Sequence, residues 1–322
     1  MAGIDTYYQE GMTMVVRGSK LWARHLIGIT VALLLGSFHV GHAHEVEHKS
    51  DARGSEVAAA IQARYDDERT TMCAGSDTAP SFLCSGVILR STAYPFDGHV
   101  WDPKGSSNPK PGGISFSWMR RDAQFKKVAH RYAQGFVLVP VLKYGGRPFR
   151  NMEVLCAFPI DAATDQRNRR GCGAHETYPT QSGPCQAQGI VSAAAWVAHY
   201  NVVSDKFERR NHQCGFTVVS GTTGSSAIFE AVLAAMRAIK DESFAEQNEL
   251  VIEEWGFGEG AQLPIEAFFY VAGHDGPTGA MAYQRDFYVT TGRWVPVIRL
   301  MMARTPGDRA TFVYRPEDQA IP

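Results

Sequence analysis

Three groups of side chains in the 322-residue chain could bind an anionic group and stabilise a developing charge. They are Arg90, the triplet Ser115-Phe116-Ser117 and the triplet Gln247-Asn248-Glu249. An arginine offers a planar fork for bidentate contact with phosphate, which a lysine does not. The carboxylate of Glu249 could stabilise a cation that forms during bond cleavage, and the Ser115 hydroxyl could hold that carboxylate by a hydrogen bond. We expect one site if the fold brings the three groups together.

The first two groups lie in segments that are predicted to be strands. Leu83–Arg90 is rich in branched apolar residues and is bounded by prolines, which is typical of a buried strand. Gly113–Trp118 alternates large apolar residues with serines, so Ser115 and Ser117 are expected on one face of a second strand.

The third group opens another predicted strand, Asn248–Trp255, on which Gln247 and Glu249 share a face. The other expected elements, in chain order, are helices Glu56–Tyr65 and Asp122–Tyr132, a strand Phe136–Leu142, a helix Ser192–Tyr200, a helix capped by Ser225 or Ser226 and running to Lys240, a turn Asp241–Gln247, and strands Ile265–Val271, Met281–Val289, Trp294–Met301 and Thr311–Tyr314. This order predicts an α+β fold with mainly antiparallel sheets.

The composition is that of a globular protein, with 44% hydrophobic and 20% charged residues. Lys and Arg total 32 and Asp and Glu total 33, which leaves a formal charge of -1. Because no global field attracts polyanions, we expect no nucleic acid among the partners.

A secretory signal peptide is predicted over residues 1–43. Basic residues precede the apolar run Leu26–Phe38, and Gly41-His42-Ala43 offers small residues at a cleavage position. The run is too short to span a bilayer comfortably, so we expect a secreted protein with no stable membrane insertion after cleavage. A signal anchor is the alternative. Residues 44–70 are predicted to form a solvated N-terminal arm.

An even number of cysteines in an exported chain predicts three disulfides. The six cysteines are Cys73, Cys84, Cys156, Cys172, Cys185 and Cys214. Spacing favours Cys73 with Cys84 and Cys172 with Cys185 as short loops, which leaves Cys156 with Cys214, although the sequence alone does not choose among the pairings. A zinc site at Cys172, His175, His212 and Cys214 lacks paired C-x-x-C spacing, so no metal is expected.

The three groups resemble the motifs of the ADP-ribosyltransferase superfamily, which are an Arg, a Ser-Thr-Ser and a Glu-x-Glu or Gln-x-Glu in this order. Phe116 replaces the middle Thr, and Ser91 stands where glycine is common after the Arg. The resemblance implies a fold with an ADP-ribosyltransferase-like core, in which NAD is the substrate. It also implies that Arg90, Ser91 and Ser117 bind NAD, while Ser115, Gln247 and Glu249 act in catalysis.

A wider resemblance, to the halovibrin family of secreted bacterial proteins, covers most of residues 73–318. It is carried by CAGSDTAPSFLCSGVILRST, GGISFSWMRRDA, LPIEAFFY, TGRWVPVIRL and the cysteine spacing. It implies NAD glycohydrolase activity, and some members are described as ADP-ribosyltransferase-like toxins. On this basis residues 71–255 are expected to be the catalytic domain with a disulfide-tied insertion at about 145–220, followed by a C-terminal β-rich region at 256–322.

Three hypotheses follow. The first is a secreted enzyme that hydrolyses NAD to ADP-ribose and nicotinamide and needs no cofactor besides this substrate. The second uses the same site to transfer ADP-ribose to a protein acceptor of a host or a competitor. The third is a secreted, non-enzymatic binding module that uses the aromatic residues of its closing segments, which are Phe268, Phe269, Tyr270, Tyr283, Phe287, Tyr288 and Trp294.

Overall fold

The structure is a computed structural model, and the residues that it describes are 39–68, 81–102, 113–128, 132–139, 143–144, 147–148, 152–162, 172, 184–218, 224–254 and 263–321. Contacts divide the chain into two units, Met1–Glu45 and Val46–Pro322. All strands of the described residues belong to the second unit. The expected signal peptide at 1–43 lies almost wholly outside the described residues.

A nine-stranded sheet organises this unit. Its strands are β1 Val87–Thr92, β2 Ile114–Met119, β3 Gln134–Leu138, β6 Met152–Phe158, β7 Phe216–Thr217, β8 Glu249–Glu254, β9 Ile265–Val271, β10 Val297–Met301 and β11 Thr311–Tyr314, while β4 Lys143–Tyr144 and β5 Arg147–Pro148 form a separate hairpin. The strand order in the sheet is β11-β10-β9-β3-β1-β2-β8-β6-β7. Among the strands that the structure describes, β9 and β10 pair in parallel and the other pairs of this sheet are antiparallel. The predicted α+β class with mainly antiparallel pairing is therefore confirmed.

Helices cover both faces of the sheet. They are α1 His39–Asp66, α2 Ala193–Tyr200, α3 Lys206–His212, α4 Gly224–Ala238, α5 Lys240–Ala245 and α6 Thr278–Thr291. The larger core joins α2, α4 and α6 to one face, where Trp118 and Phe229 are fully buried. A second core joins α1 to the other face through Ile61 and Tyr65. None of the described helices has the length and apolarity needed to span a bilayer.

Several predicted helices and strands are found close to their expected places. The start of α2 is one example, because it depends on a local capping residue. The Ser192 side chain caps it by accepting a hydrogen bond from the Ala195 N–H at 3.2 Å. Strand β11 spans the residues expected of it, and α4 follows from an apolar stripe that includes Phe229 and Met236.

Three other predictions of secondary structure are wrong. Met281–Val289, expected as a strand, lies in α6, because Tyr283, Gln284 and Phe287 bury one helical face. Residues 122–128 are not helical, since Asp122 turns back to pair with Arg120 while Phe125 is buried in the α1 core. The turn expected at Asp241–Gln247 is mostly the short helix α5.

The predicted insertion and the predicted C-terminal region are both parts of the same sheet. β6 and β7 come from within residues 145–220, and β6 pairs with β8 along its length. β9, from the C-terminal region, pairs with β3 and continues the sheet to β11. Neither segment is therefore an appendage, because each supplies strands that neighbour the central ones.

The N-terminal arm also differs from the prediction. The helix expected at Glu56–Tyr65 is present but forms the end of the longer α1. Its Ala58, Ile61 and Tyr65 are buried, and the Tyr65 hydroxyl donates to Gln124 Oε1 at 2.6 Å. This part of residues 44–70 is thus packed on the sheet and is not a solvated arm.

Two disulfides lie among the described residues, Cys156–Cys172 and Cys185–Cys214. The expected pairs Cys172–Cys185 and Cys156–Cys214 are therefore wrong. The Cys185 N–H donates to the Gly215 carbonyl at 2.8 Å, which places Cys185 beside Cys214, while Cys156 on β6 is bonded to Cys172. Cys84 is also disulfide-bonded, while its expected partner Cys73 lies outside the described residues. Disulfides fit a protein of an oxidising, extracellular compartment.

Candidate active site

The centre of the sheet brings together three strands that carry the predicted site residues. β1 pairs with β2 from Val87 to Leu89, and β2 pairs with β8 through Ser115 opposite Val251 and Phe116 opposite Leu250. This register places the Ser115 and Ser117 side chains on one face of the sheet. Gln247 and Glu249, just at the start of β8, reach the same face.

The Glu249 carboxylate lies between two hydrogen-bond donors. Its Oε1 accepts from the Ser115 Oγ–H at 2.6 Å, the hydrogen bond that the sequence predicts. Its Oε2 accepts from the main-chain N–H of Ala162 at 3.0 Å. The residue is only 2% exposed, so the carboxylate is fixed at both oxygens and enclosed by protein.

Gln247 lies two residues before Glu249 on the same face and likewise accepts a hydrogen bond from a serine of β2. Its Oε1 accepts from the Ser117 Oγ–H at 2.7 Å, and both residues are buried. Because the carbonyl oxygen of the amide is turned towards Ser117, the amide nitrogen is the end that could donate to a water or a substrate hydroxyl.

Asn248, between these two residues, points to the opposite face and clamps β8 to β2. Its Oδ1 accepts from the Trp118 main-chain N–H at 2.8 Å, and its Nδ2 donates to the Trp118 carbonyl at 2.5 Å. The side-chain amide therefore extends the ladder by one step beyond the Phe116–Leu250 pair. This clamp fixes the direction in which Gln247 and Glu249 project.

Arg90 reaches the site from the other face of the sheet. Strand alternation puts it on the side of Ile88, whose partner is Trp118, whereas Ser91 lies on the serine face and is buried. Beyond Leu89, β1 continues along β3 and leaves β2. The guanidinium lies where the two strands separate, donating from Nη1 to the Ser115 carbonyl with its Cζ 6.0 Å from the Phe116 ring centroid.

The charge of Arg90 interacts with Glu249. Burial lowers the pKa of Arg90 to about 10, while the nearby Glu249 and Tyr132 act in the opposite direction. Arg90 is therefore still a cation at neutral pH. The Arg90 cation and the Glu249 carboxylate therefore attract each other.

A short segment that follows β6 closes the site over Glu249, and we call residues 159–162 the cover. The last residue of β6, Phe158, pairs with Glu249, and the chain then bends back. The Asp161 N–H donates to the Gln247 carbonyl at 2.7 Å, next to the Ala162 contact with Glu249. Arg210 of α3 holds Asp161 by two hydrogen bonds of 3.0 Å, from Nε to its carbonyl and from Nη2 to its carboxylate.

Among the residues that the structure describes, no group of three or more His, Cys, Asp or Glu side chains could hold a metal ion. His175 of the zinc alternative lies outside those residues. Cys172 and Cys214 of that alternative are in disulfides.

Comparison with protein-family models, with curated proteins and with solved structures gives no match. Sequence reasoning found the residues of β1, β2 and β8 but missed Ala162, Asp161 and Arg210, which lie in irregular or helical segments without a motif. The sequence indicates that Asn248 points to the face opposite to Gln247 and Glu249, but nothing in it indicates the hydrogen bonds to Trp118.

Proposed function

We propose that the protein is a secreted NAD glycohydrolase with an ADP-ribosyltransferase-like core. The observation that carries this proposal is the hydrogen bond between Ser115 and Glu249, which joins two of the three motif strands across the sheet. Arg90, from the third strand, contributes a cation beside them. A carboxylate oriented in this way suits a reaction in which positive charge develops on a sugar.

In the proposed reaction, the bond between ribose C1′ and the nicotinamide nitrogen breaks, and the electron pair leaves with nicotinamide. The ribose passes through an oxocarbenium-like state, which the Glu249 carboxylate stabilises more than it stabilises the bound substrate. Water then attacks C1′ and releases one proton, which gives ADP-ribose. Ser115 keeps the carboxylate oriented, and the Gln247 amide nitrogen is placed to orient the water.

The two other hypotheses receive less support. Gln247 is 8% exposed and bonded to Ser117, which suits a water more than a bulky protein acceptor. Most of the aromatic residues considered for a binding platform are core residues, since Phe268, Phe269, Tyr270, Tyr283 and Phe287 are buried.

The experiment is to incubate the purified, oxidised protein with NAD and measure nicotinamide release, with and without added protein acceptors. Glu249→Gln should lower the rate about a hundredfold to a thousandfold, because it removes the charge but keeps the volume. Glu266→Gln is the matched control, since the Glu266 carboxylate, on β9, is paired with Arg64 of α1. With NAD that carries a label on its ADP-ribose part, labelled acceptor proteins without free ADP-ribose would favour transfer to protein. Full activity of Glu249→Gln would refute the site, and absence of both products would favour the binding module.

A further inference from the structure

The enclosure of Glu249 raises the question of how a substrate reaches it. Both carboxylate oxygens have protein donors, and the side chain has almost no exposed surface. A ribose can approach only if one donor moves away. Ser115 lies within β2, between its pairing partners, whereas Ala162 lies four residues beyond the end of β6. The donor that can leave without breaking the sheet is therefore Ala162.

The structure also indicates which part of the cover is able to move. Ile160 is buried in the larger core and fixes the first half. The second half makes polar contacts, from Asp161 to Gln247 and Arg210 and from Ala162 to Glu249. Apart from these contacts, the Ala162 methyl packs in a separate small cluster with Phe158, Cys172 and Val251. Polar contacts of this kind are lost more readily than core packing, since water can replace them.

We propose that the cover is an autoinhibitory strap, which the Asp161–Arg210 ion pair holds closed over Glu249. This inference rests on the proposed function in taking Glu249 as the reacting carboxylate. The ion pair joins Nη2 to Oδ2 at 3.0 Å, and both side chains are mostly buried. Breaking it removes a charge-assisted hydrogen bond, so the open form gains population and the carboxylate becomes accessible.

Disulfides brace both sides of this contact. The cover lies inside the loop that Cys156–Cys172 closes. Arg210 lies four residues before Cys214, which is bonded to Cys185. The two partners of the ion pair are therefore each attached to a segment that a disulfide restrains. The position of the strap relative to Arg210 thus depends on the oxidised state of both disulfides.

The test uses Arg210→Gln and Asp161→Asn in the oxidised full chain. Arg209→Gln is the matched control for the first, because Arg209 is also ion-paired, to Glu242, but does not touch the cover. Asp205→Asn is the control for the second, because Asp205 caps α3 through the Glu208 N–H. The readout is labelling of Glu249 by a water-soluble carbodiimide and an amine, quantified by mass spectrometry, with Glu266 as the reference for global unfolding.

Arg210→Gln should raise the labelling rate of Glu249 about tenfold to a hundredfold and leave that of Glu266 unchanged, and Asp161→Asn should act in the same direction. The two controls should not differ from the wild type. Nicotinamide release should rise with the labelling. Unchanged labelling in both variants would overturn the strap whether or not NAD is cleaved. Raised labelling in a protein that never cleaves NAD would support the strap and refute the proposed function instead.

Discussion

The Ser115 hydroxyl donates to Oε1 of Glu249 at 2.6 Å across a diagonal of the β2–β8 pair. A hydrogen bond to a charged acceptor contributes more than one between neutral groups. Loss of this donor therefore affects the orientation of the carboxylate directly.

Ser115→Ala should lower the turnover of NAD about tenfold to a hundredfold with little change in KM, because it frees the carboxylate without removing it. Ser117→Ala is the matched control, since its hydroxyl donates to the neutral amide of Gln247. Steady-state nicotinamide release measures both variants. A loss as large for Ser117→Ala as for Ser115→Ala would contradict the special role of the charged acceptor.

Asn248→Ala should reduce both stability and activity. It removes two hydrogen bonds to Trp118 in a buried place, which should cost about 2 to 4 kcal/mol in the free energy of unfolding. The control is Gln124→Ala, a buried amide with two main-chain acceptors far from the site, Pro306 and Asp308. Urea unfolding should show comparable losses, while only Asn248→Ala should also lower the turnover of the folded fraction. Equal turnover in the two variants would show that the Asn248 clamp does not position the site residues.

Gly135→Ala should disturb the pairing of β1 with β3 next to Arg90. A Cβ at this position would lie 1.9 Å from the Arg90 carbonyl oxygen, which forces the strands apart. We expect destabilisation of about 1 to 3 kcal/mol or more, measured by thermal unfolding. Gly307→Ala meets no atom within 4 Å and should be nearly neutral. Similar melting temperatures for the two variants would show that the close approach is absent in solution.

Reduction should lower the melting temperature. The loop closed by Cys185–Cys214 spans 29 residues and that closed by Cys156–Cys172 spans 16, and in the chain-entropy model each bond contributes about 3 to 4 kcal/mol. Mass spectrometry of peptides from the oxidised protein should recover these two pairs. Recovery of Cys172 linked to Cys185 would disprove the pairing.

His199 should make the fold sensitive to mild acid. Burial lowers the pKa of His199, and the hydrogen bond of its Nε2 with the His212 carbonyl at 3.3 Å offsets part of that effect. The charge of the His212 ring, which is stacked on His199 at 4.8 Å between centroids, adds to the lowering. Because the folded state binds this proton less readily than the unfolded state, the contribution of His199 is present above pH ~6.5 and is lost as the pH falls towards the lowered value. Denaturant unfolding at pH 7.5 and 5.5 should show a larger loss of stability for the wild type than for His199→Asn. An equal loss would assign the effect to other groups.

The sequence predicts the contact of Ser115 with Glu249, and strand alternation places the two residues on one face of the sheet. The contact of Ser117 with Gln247 is not among the predictions, although the same spacing of two residues on both strands accounts for it. The cover could not be predicted, because Ala162 contributes only a main-chain N–H, which any residue could supply. Arg210 pairs with Asp161 across 49 residues, and no local pattern encodes that contact.

Tertiary contacts account for the segments whose secondary structure differs from the prediction. The segment that forms α6 contains aromatic and branched residues, which favour a strand locally. Its Phe287 nevertheless packs on Trp101 and Phe268, and this tertiary burial of one helical face decides the structure. Asp122 is a comparable case, since its pairing with Arg120 and Arg237 competes with the helix expected there.

The order of the sheet also determines when the site can come into existence. Ser115 and Glu249 are 134 residues apart in the chain, yet their strands are neighbours at the centre of the sheet. A nascent chain that has emerged only as far as α4 contains Arg90 and both serines but not the carboxylate. Contacts of such long range also form slowly, because the intervening chain must first be ordered. In a cell that makes this protein, the proposed active centre would therefore be absent until the chain had been synthesised at least as far as β8 and had folded.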